Sequence, residues 1–232
     1  MLELQKINTF YGTSHVLQDV SLKVEQGQAV ALLGRNGAGK TTTLRSIIGL
    51  TPPRSGSIVF QGKKISGLPP YQIAKEGVGY MPDDLRIFPD LTCEENLELA
   101  RRVCKRTGYW NREKVEALFP VLADRRNQKG LSFSGGEKKM LSLGRALMMN
   151  PSLILLDEPS EGLAPLVVQK LMETIRQIRT HGITILLADQ NLKFCRHVCD
   201  YGYILEKGAV VHEGSLQDIW ANEAVVKRYL AV

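Results

Sequence analysis

Apolar and polar residues alternate along Leu2-Glu3-Leu4-Gln5-Lys6-Ile7 and again from Val16 to Val24, a period of two that predicts paired strands with one buried face. Between them lies Phe10-Tyr11-Gly12, a turn whose aromatic either anchors packing or offers a ring face to a stacked base. Ala29 to Leu33, Leu153 to Leu156 and Ile183 to Ala188 are unbroken apolar runs, as strands buried on both faces of a parallel sheet require. Shorter strands are expected at Ser57–Phe60 and Val78–Met81, and Tyr203–Glu206 with Ala209–His212 flank Lys207-Gly208 as a hairpin. Helical spacing predicts helices over Thr41–Ile48, briefly from Pro69-Pro70, over Glu94–Arg106, about Arg112–Phe119, Lys138–Met149 and Leu166–Arg179, then from Ser215 and from Glu223. The stretch from about Leu85 to Met149 has almost no strand signal, so it reads as a helical subdomain inserted into an α/β core. No repeat, low-complexity tract or linker divides the chain, and residues 1–232 are expected to form one domain.

Composition narrows the class. With 44% hydrophobic and 23% charged residues the chain suits a soluble protein with a large core. No apolar run approaches the roughly 20 residues of a membrane-spanning helix, and Met1-Leu2-Glu3-Leu4 leads into a patterned strand. The expected location is cytoplasmic, with the membrane touched only through a partner. Thirty Lys and Arg against 24 Asp and Glu give a net charge of +6. The basic residues are dispersed, and their densest groups, Arg101-Arg102 to Arg106 and Arg125-Arg126 to Lys129, lack interleaved aromatics, so they read as solvated faces and no nucleic-acid partner is expected. Cys93, Cys104, Cys195 and Cys199 fit reduced thiols packed on helix faces; Cys195 and Cys199 flank His197, but a zinc site needs a second ligand pair.

Three stretches carry chemistry. Gly34-Arg35-Asn36-Gly37-Ala38-Gly39-Lys40-Thr41-Thr42 fits the phosphate-loop pattern G-x-x-x-x-G-K-[ST] at every fixed position, between a strand and a helix. Its backbone N–H groups and the helix dipole suit a polyphosphate, Lys40 reaches the β and γ phosphates, and the Thr41 hydroxyl can ligate Mg²⁺. Asp157-Glu158 closes the Leu153 strand: Asp157 is the candidate for the Mg²⁺ shell, and Glu158 for orienting and deprotonating a water. Ser134-Gly135-Gly136-Glu137 forms a second anion-binding nest at a helix N-terminus, or a plain N-cap.

The order of phosphate loop, Ser-Gly-Gly-Glu and Leu-Leu-Asp-Glu-Pro resembles the ATP-binding cassette (ABC) family over essentially the whole chain. Leu156 to Pro165, Ala188-Asp189-Gln190-Asn191 and Phe88 to Leu97 resemble the ATPase subunits of branched-chain amino acid and related amide or urea importers. The resemblance implies a P-loop NTPase of the ABC ATPase fold: a RecA-like core, an antiparallel β subdomain and a helical subdomain nested at about 85–149. It implies ATP and Mg²⁺ as cofactors and a head-to-tail pair with a second ABC ATPase subunit, identical or a sister chain. In that pair Ser134, Gly135 and Gly136 bind the γ phosphate held by the other subunit's loop, and Tyr11 matches the aromatic stacked on adenine. Transmembrane permease subunits, and indirectly a solute-binding protein outside the membrane, complete the expected partners, with the ATPase peripheral at the membrane's inner face. The permease's cytoplasmic helix is expected to dock at about Leu85 to Arg126. Asp83 and Gln190 stand where most cassettes carry glutamine and histidine. Asp83 remains an oxygen ligand for Mg²⁺ or its water. Gln190 can donate a hydrogen bond to the γ phosphate but cannot take a proton, which leaves the general-base work to Glu158. An exporter or lipid-transport ATPase of the same architecture stays open as an alternative. A soluble nucleic-acid or ribosome switch is disfavoured, since such relatives usually carry tandem cassettes or a long coiled coil.

Overall fold

The computed structural model describes residues 1–104 and 106–230. Its first half runs β1 (Leu2–Tyr11), β2 (Ser14–Val24), β3 (Ala29–Leu33), α1 (Lys40–Ile47), β4 (Ser55–Phe60), β5 (Lys63–Lys64), α2 (Pro70–Glu76), β6 (Val78–Met81), α3 (Cys93–Cys104), α4 (Arg112–Leu118) and α5 (Pro120–Asp124). There follow α6 (Gly135–Met148), β7 (Leu153–Asp157), α7 (Pro165–Thr180), β8 (Thr184–Ala188), α8 (Leu192–Val198), β9 (Tyr201–Glu206), β10 (Ala209–Ser215), α9 (Leu216–Ala221) and α10 (Glu223–Tyr229). Among the described residues the strands form two sheets. One is antiparallel in the order β2-β1-β4-β5; the other runs β10-β9-β3-β8-β7-β6, parallel from β9 to β6 with β10 returning as the hairpin strand.

The unbroken apolar runs are explained by two cores, one on each face of the parallel sheet. Ala29, Ala31 and Leu33 of β3 join Ile154 and Leu156, Ile185 and Leu187 in the core under the helices α6, α7 and α8, while Val30 and Leu32 point into the other with Leu153, Leu155, Leu186 and Ala188. That second core is closed by α1 and by the inner face of the antiparallel sheet, where Leu2, Leu4, Ile7, Val20, Leu22 and Val24 are buried. A strand that must bury both faces has no position for a polar side chain until it ends, so its chemistry is pushed to its termini. Register then lines these termini up: Leu32 pairs with Ala188, Ala188 with Asp157, and Leu156 with Met81.

Three local differences from the sequence reading have physical causes. The helix expected from Lys138 begins at Gly135, because Ser134 and Glu137 satisfy each other's backbone N–H groups in a capping box and so recruit both glycines into the first turn. β1 continues through Phe10 and Tyr11, which pair with His15 and Ser14, leaving only the next two residues to turn. Pro120 starts an unanticipated helix, α5, straight after α4, as proline does at a first helical position. The expected helix Glu94–Arg106 is present as α3 up to Cys104; position 105 lies outside the described residues, and Arg106 is no longer helical.

Candidate functional site

The loop after β3 is shaped by glycine. Gly34 has φ +147°, and a Cβ there would lie 2.5 Å from the Leu205 carbonyl oxygen; Gly39, at φ +109°, turns the chain into α1. The loop is closed by Ala38 N–H donating to Arg35 O (3.1 Å) and fastened to the β9–β10 turn by Gly208 N–H donating to Ala38 O (2.9 Å). Lys40 opens α1 and is only 3% exposed. Its ammonium donates to Gly34 O (2.9 Å) and Arg35 O (3.3 Å) and lies 3.3 Å from Glu158 Oε1. Thr41 Oγ1, one residue on, donates to Asp157 Oδ1 at 2.9 Å, and Tyr80 OH donates to Asp157 Oδ2 at 3.1 Å.

Asp157 is fully buried at the end of β7, and burial pushes its carboxyl up to about 6 against the opposing hydrogen bonds from Thr41 and Tyr80, with Asp83 and Glu158 adding like charge. A buried carboxylate held beside a threonine hydroxyl is a pair of hard oxygen donors that fits a magnesium ion. Among the described residues no group of three or more His, Cys, Asp or Glu side chains forms a metal cage. Magnesium requires none, since one or two protein oxygens with phosphates and water suffice.

The other sequence candidates are placed less directly. Asp83, past the end of β6, pairs with Arg45 Nη2 at 3.4 Å, and the same arginine is held charged against its burial by Tyr11, Tyr80 and Asp83. Tyr11 is 44% exposed at the end of β1, its hydroxyl accepting from Thr51 Oγ1 at 3.4 Å. Gln190 follows β8 and lines a cavity of about 450 Å³ together with Gly34, Arg35, Asn36 and Trp220. Ser134 Oγ accepts from Glu137 N–H (3.4 Å), and Glu137 Oε2 accepts from Ser134 N–H (2.7 Å). Burial raises the Glu137 carboxyl, but the Ser134 bonds and Arg125, 3.0 Å away, outweigh it and hold it below its ordinary range. Among the described residues no hydrogen bond joins Ser134–Glu137 to the loop at Gly34–Thr42. The structure therefore brings Lys40, Thr41, Asp157 and Glu158 into one cluster and leaves the serine–glycine turn on a separate element.

A family model described as ABC transporter matches residues 17–161. The chain is 40% identical over 231 residues, 99% of both chains, to the high-affinity branched-chain amino acid transport ATP-binding protein BraG of Pseudomonas aeruginosa. It is 36% identical to the lipopolysaccharide export system ATP-binding protein LptB of Acidithiobacillus ferridurans, over 99% of this chain and 96% of that one. A dimeric structure of MJ0796, a bacterial ABC transporter cassette, superposes with a TM-score of 0.84 at 25% identity, covering 93% of this chain and 99% of that one. The chain belongs to the ABC transporter family.

It is an ATP-hydrolysing cassette of that family, with the fold the motifs led one to expect. Around the ABC motifs stand residues that sequence reasoning passed over. Tyr80 reaches Asp157 from a strand 77 positions away in the chain, and Arg45, one turn along α1 from Thr41, reaches Asp83; no local pattern marks either contact. Asp189, next to Gln190, is buried and pushed upward by that burial while it accepts from Ser160 N–H (3.2 Å) and Asn191 N–H (2.9 Å). Glu161 is raised by its hydrogen bond to Glu158 and by that neighbour's charge.

Proposed function

We propose that this ABC ATPase is the energising subunit of an importer for branched-chain or related amino acids, peripheral at the inner face of the membrane, and that it works in a head-to-tail pair of cassettes. The convergence of Lys40, Thr41, Asp157 and Glu158 at one sheet edge carries the catalytic part of this reading. The loop Gly34–Thr42 receives the polyphosphate of ATP, with Lys40 on its β and γ phosphates. Thr41 and Asp157 would hold magnesium, with Asp83 as a further oxygen donor toward the ion or its water, and the ion would supply charge neutralisation to the phosphates. A γ phosphate drawing Lys40 toward itself frees the Glu158 carboxylate from its ion pair, so Glu158 becomes available to take a proton from the attacking water. Gln190 donates its amide to the same phosphate, and Ser134–Gly136 of the second cassette close over it.

Contact with the membrane subunits falls in a groove of about 290 Å³ between α3, α6 and the loop after β6, whose exposed apolar residues Phe88, Leu99 and Val103 suit a permease helix. Leu85 and Arg86 in that loop both have positive φ and lie two and three residues beyond Asp83, a short mechanical path from groove to site. The 40% identity to BraG over 99% of both chains supports the solute class. The similarity to LptB favours a second reading, lipid export by the same cassette.

The base assignment is tested by Glu158→Gln, which should lower turnover by about 10²-fold or more and lengthen the life of ATP-induced dimers; near wild-type turnover with short-lived dimers would sink it. The solute class is tested by capture from native membranes with mass spectrometry of the permease partners, followed by uptake of labelled leucine into reconstituted vesicles. Extraction of lipid without leucine uptake would favour the second reading.

A further inference from the structure

Lys139 lies in the second turn of α6, just past the Ser134–Glu137 cap. Its ammonium has three N–H donors and meets three backbone carbonyls of the loop leaving β7: Glu158 O at 2.9 Å, Pro159 O at 3.2 Å, and Glu161 O. Burial depresses this lysine's basicity, and the carboxylates of Asp189, Glu161 and Glu158 oppose that effect. The same loop is gripped from its other side, where Glu158 N–H donates to Ala188 O (2.8 Å) and Ser160 N–H to Asp189 Oδ2 (3.2 Å). Within this clamp Glu158 has φ +46°, a left-handed conformation that a non-glycine residue holds only when its surroundings impose it. The peptide carbonyl of Glu158 is thus fixed by an ammonium while its carboxylate faces Lys40 at 3.3 Å.

We infer that Lys139 is a positioning residue for hydrolysis: its ammonium holds the backbone of Glu158 in the left-handed turn that aims the carboxylate at the phosphate loop, and ties that turn to the helix bearing Ser134–Gly136. The inference rests on Glu158 as the base and on the head-to-tail pair. In such a pair the two halves a chain contributes belong to different ATP sites, its own Glu158 to one and its own Ser134–Gly136 to the other. A single side chain then makes them move together, so closure of one site is reported to the base of the other. Surface lysines are mobile and hydrated; one with all three donors on a single loop is a bracket.

The test uses the full-length protein and a graded series: Lys139→Arg, which keeps a charged donor group in a different geometry, Lys139→Gln, with two neutral donors, and Lys139→Met, with none. Turnover should fall in that order, reaching about 10²-fold for Lys139→Met, the loss expected of a misplaced base. Affinity for a fluorescent ATP analogue and the KM for ATP should stay within about twofold, because the phosphate loop is untouched. Amide hydrogen exchange should quicken over residues 158–162 and not over 34–42. Unchanged turnover across the series, or turnover lost in step with nucleotide affinity and melting temperature, would overturn the inference by leaving Lys139 no role or a merely structural one. Glu158→Gln is measured alongside. If it is inactive while Lys139→Met is fully active, the positioning role fails and the base assignment stands; if Glu158→Gln is itself active, both fall.

Discussion

A buried ammonium must have its donors satisfied, and Lys40 achieves this with two carbonyls of its own loop and one carboxylate. The arrangement makes the phosphate loop and Glu158 readable as one unit, although Lys40 and Glu158 lie 118 positions apart in the sequence. Both ends were legible in the sequence because each lies in a contiguous motif. Tyr80 was not: its bond to Asp157 spans 77 positions, and a tyrosine inside a short apolar strand gives no sign of what its hydroxyl meets. Tyr80→Phe should destabilise the fold by about 1–2 kcal/mol, the cost of leaving a buried carboxylate oxygen short of a donor, measured as a lower urea midpoint at unchanged slope. A variant as stable as wild type would mean that water replaces the hydroxyl. Gln190 allows a sharper separation. Its amide can donate to a γ phosphate, so Gln190→Leu should cut hydrolysis strongly while Gln190→His, which keeps an N–H donor, retains it; steady-state turnover decides, and a fully active leucine variant would remove Gln190 from the phosphate site.

At the scale of elements, what the sequence showed best were the central strands, since burial on both faces forces unbroken apolar runs that little else produces. Helix starts were harder. Ser134–Glu137 was read as a nest or N-cap ahead of a helix expected from Lys138; the reciprocal Ser134–Glu137 bonds outweigh the poor helix propensity of Gly135 and Gly136 and pull the start of α6 back to Gly135. Lys139 thereby falls in the second turn, on the side of the helix that faces the loop after β7, a relation no spacing in the sequence announces. The cap makes a separable prediction. Ser134→Ala should cost about 1 kcal/mol of stability as a lost N-cap, read by denaturant unfolding, and should reduce hydrolysis in the ATP-induced dimer by far more than so small a loss of folded protein explains. If activity falls only in proportion to stability, the serine is a cap and nothing else.

For the whole molecule, the sheet order β9-β3-β8-β7-β6 decides function by geometry: it sets the ends of β3, β8, β7 and β6 side by side, the edge at which open α/β sheets place their ligands. The same order sends the chain beyond β6 away from that edge, through Asp83 and the left-handed Leu85 and Arg86, to the groove between α3 and α6. Ser142 Oγ donates to Leu85 O (3.1 Å) and Arg145 Nη1 to Arg86 O (2.6 Å), so α6, which begins at the Ser134–Gly136 turn, also holds the groove's floor. A partner seated in the groove would therefore touch a loop continuous with Asp83 and a helix continuous with the serine–glycine turn. Val103 is 51% exposed on the rim, where a polar replacement should shift stability by no more than about 0.5 kcal/mol. Val103→Asp puts a charge where an apolar helix face would have to desolvate it. Expected is a protein with the melting temperature of wild type that no longer co-purifies with its permease and supports no solute uptake in reconstituted vesicles. Retained co-purification and uptake would move the membrane contact to another surface and cut the proposed path from groove to Asp83.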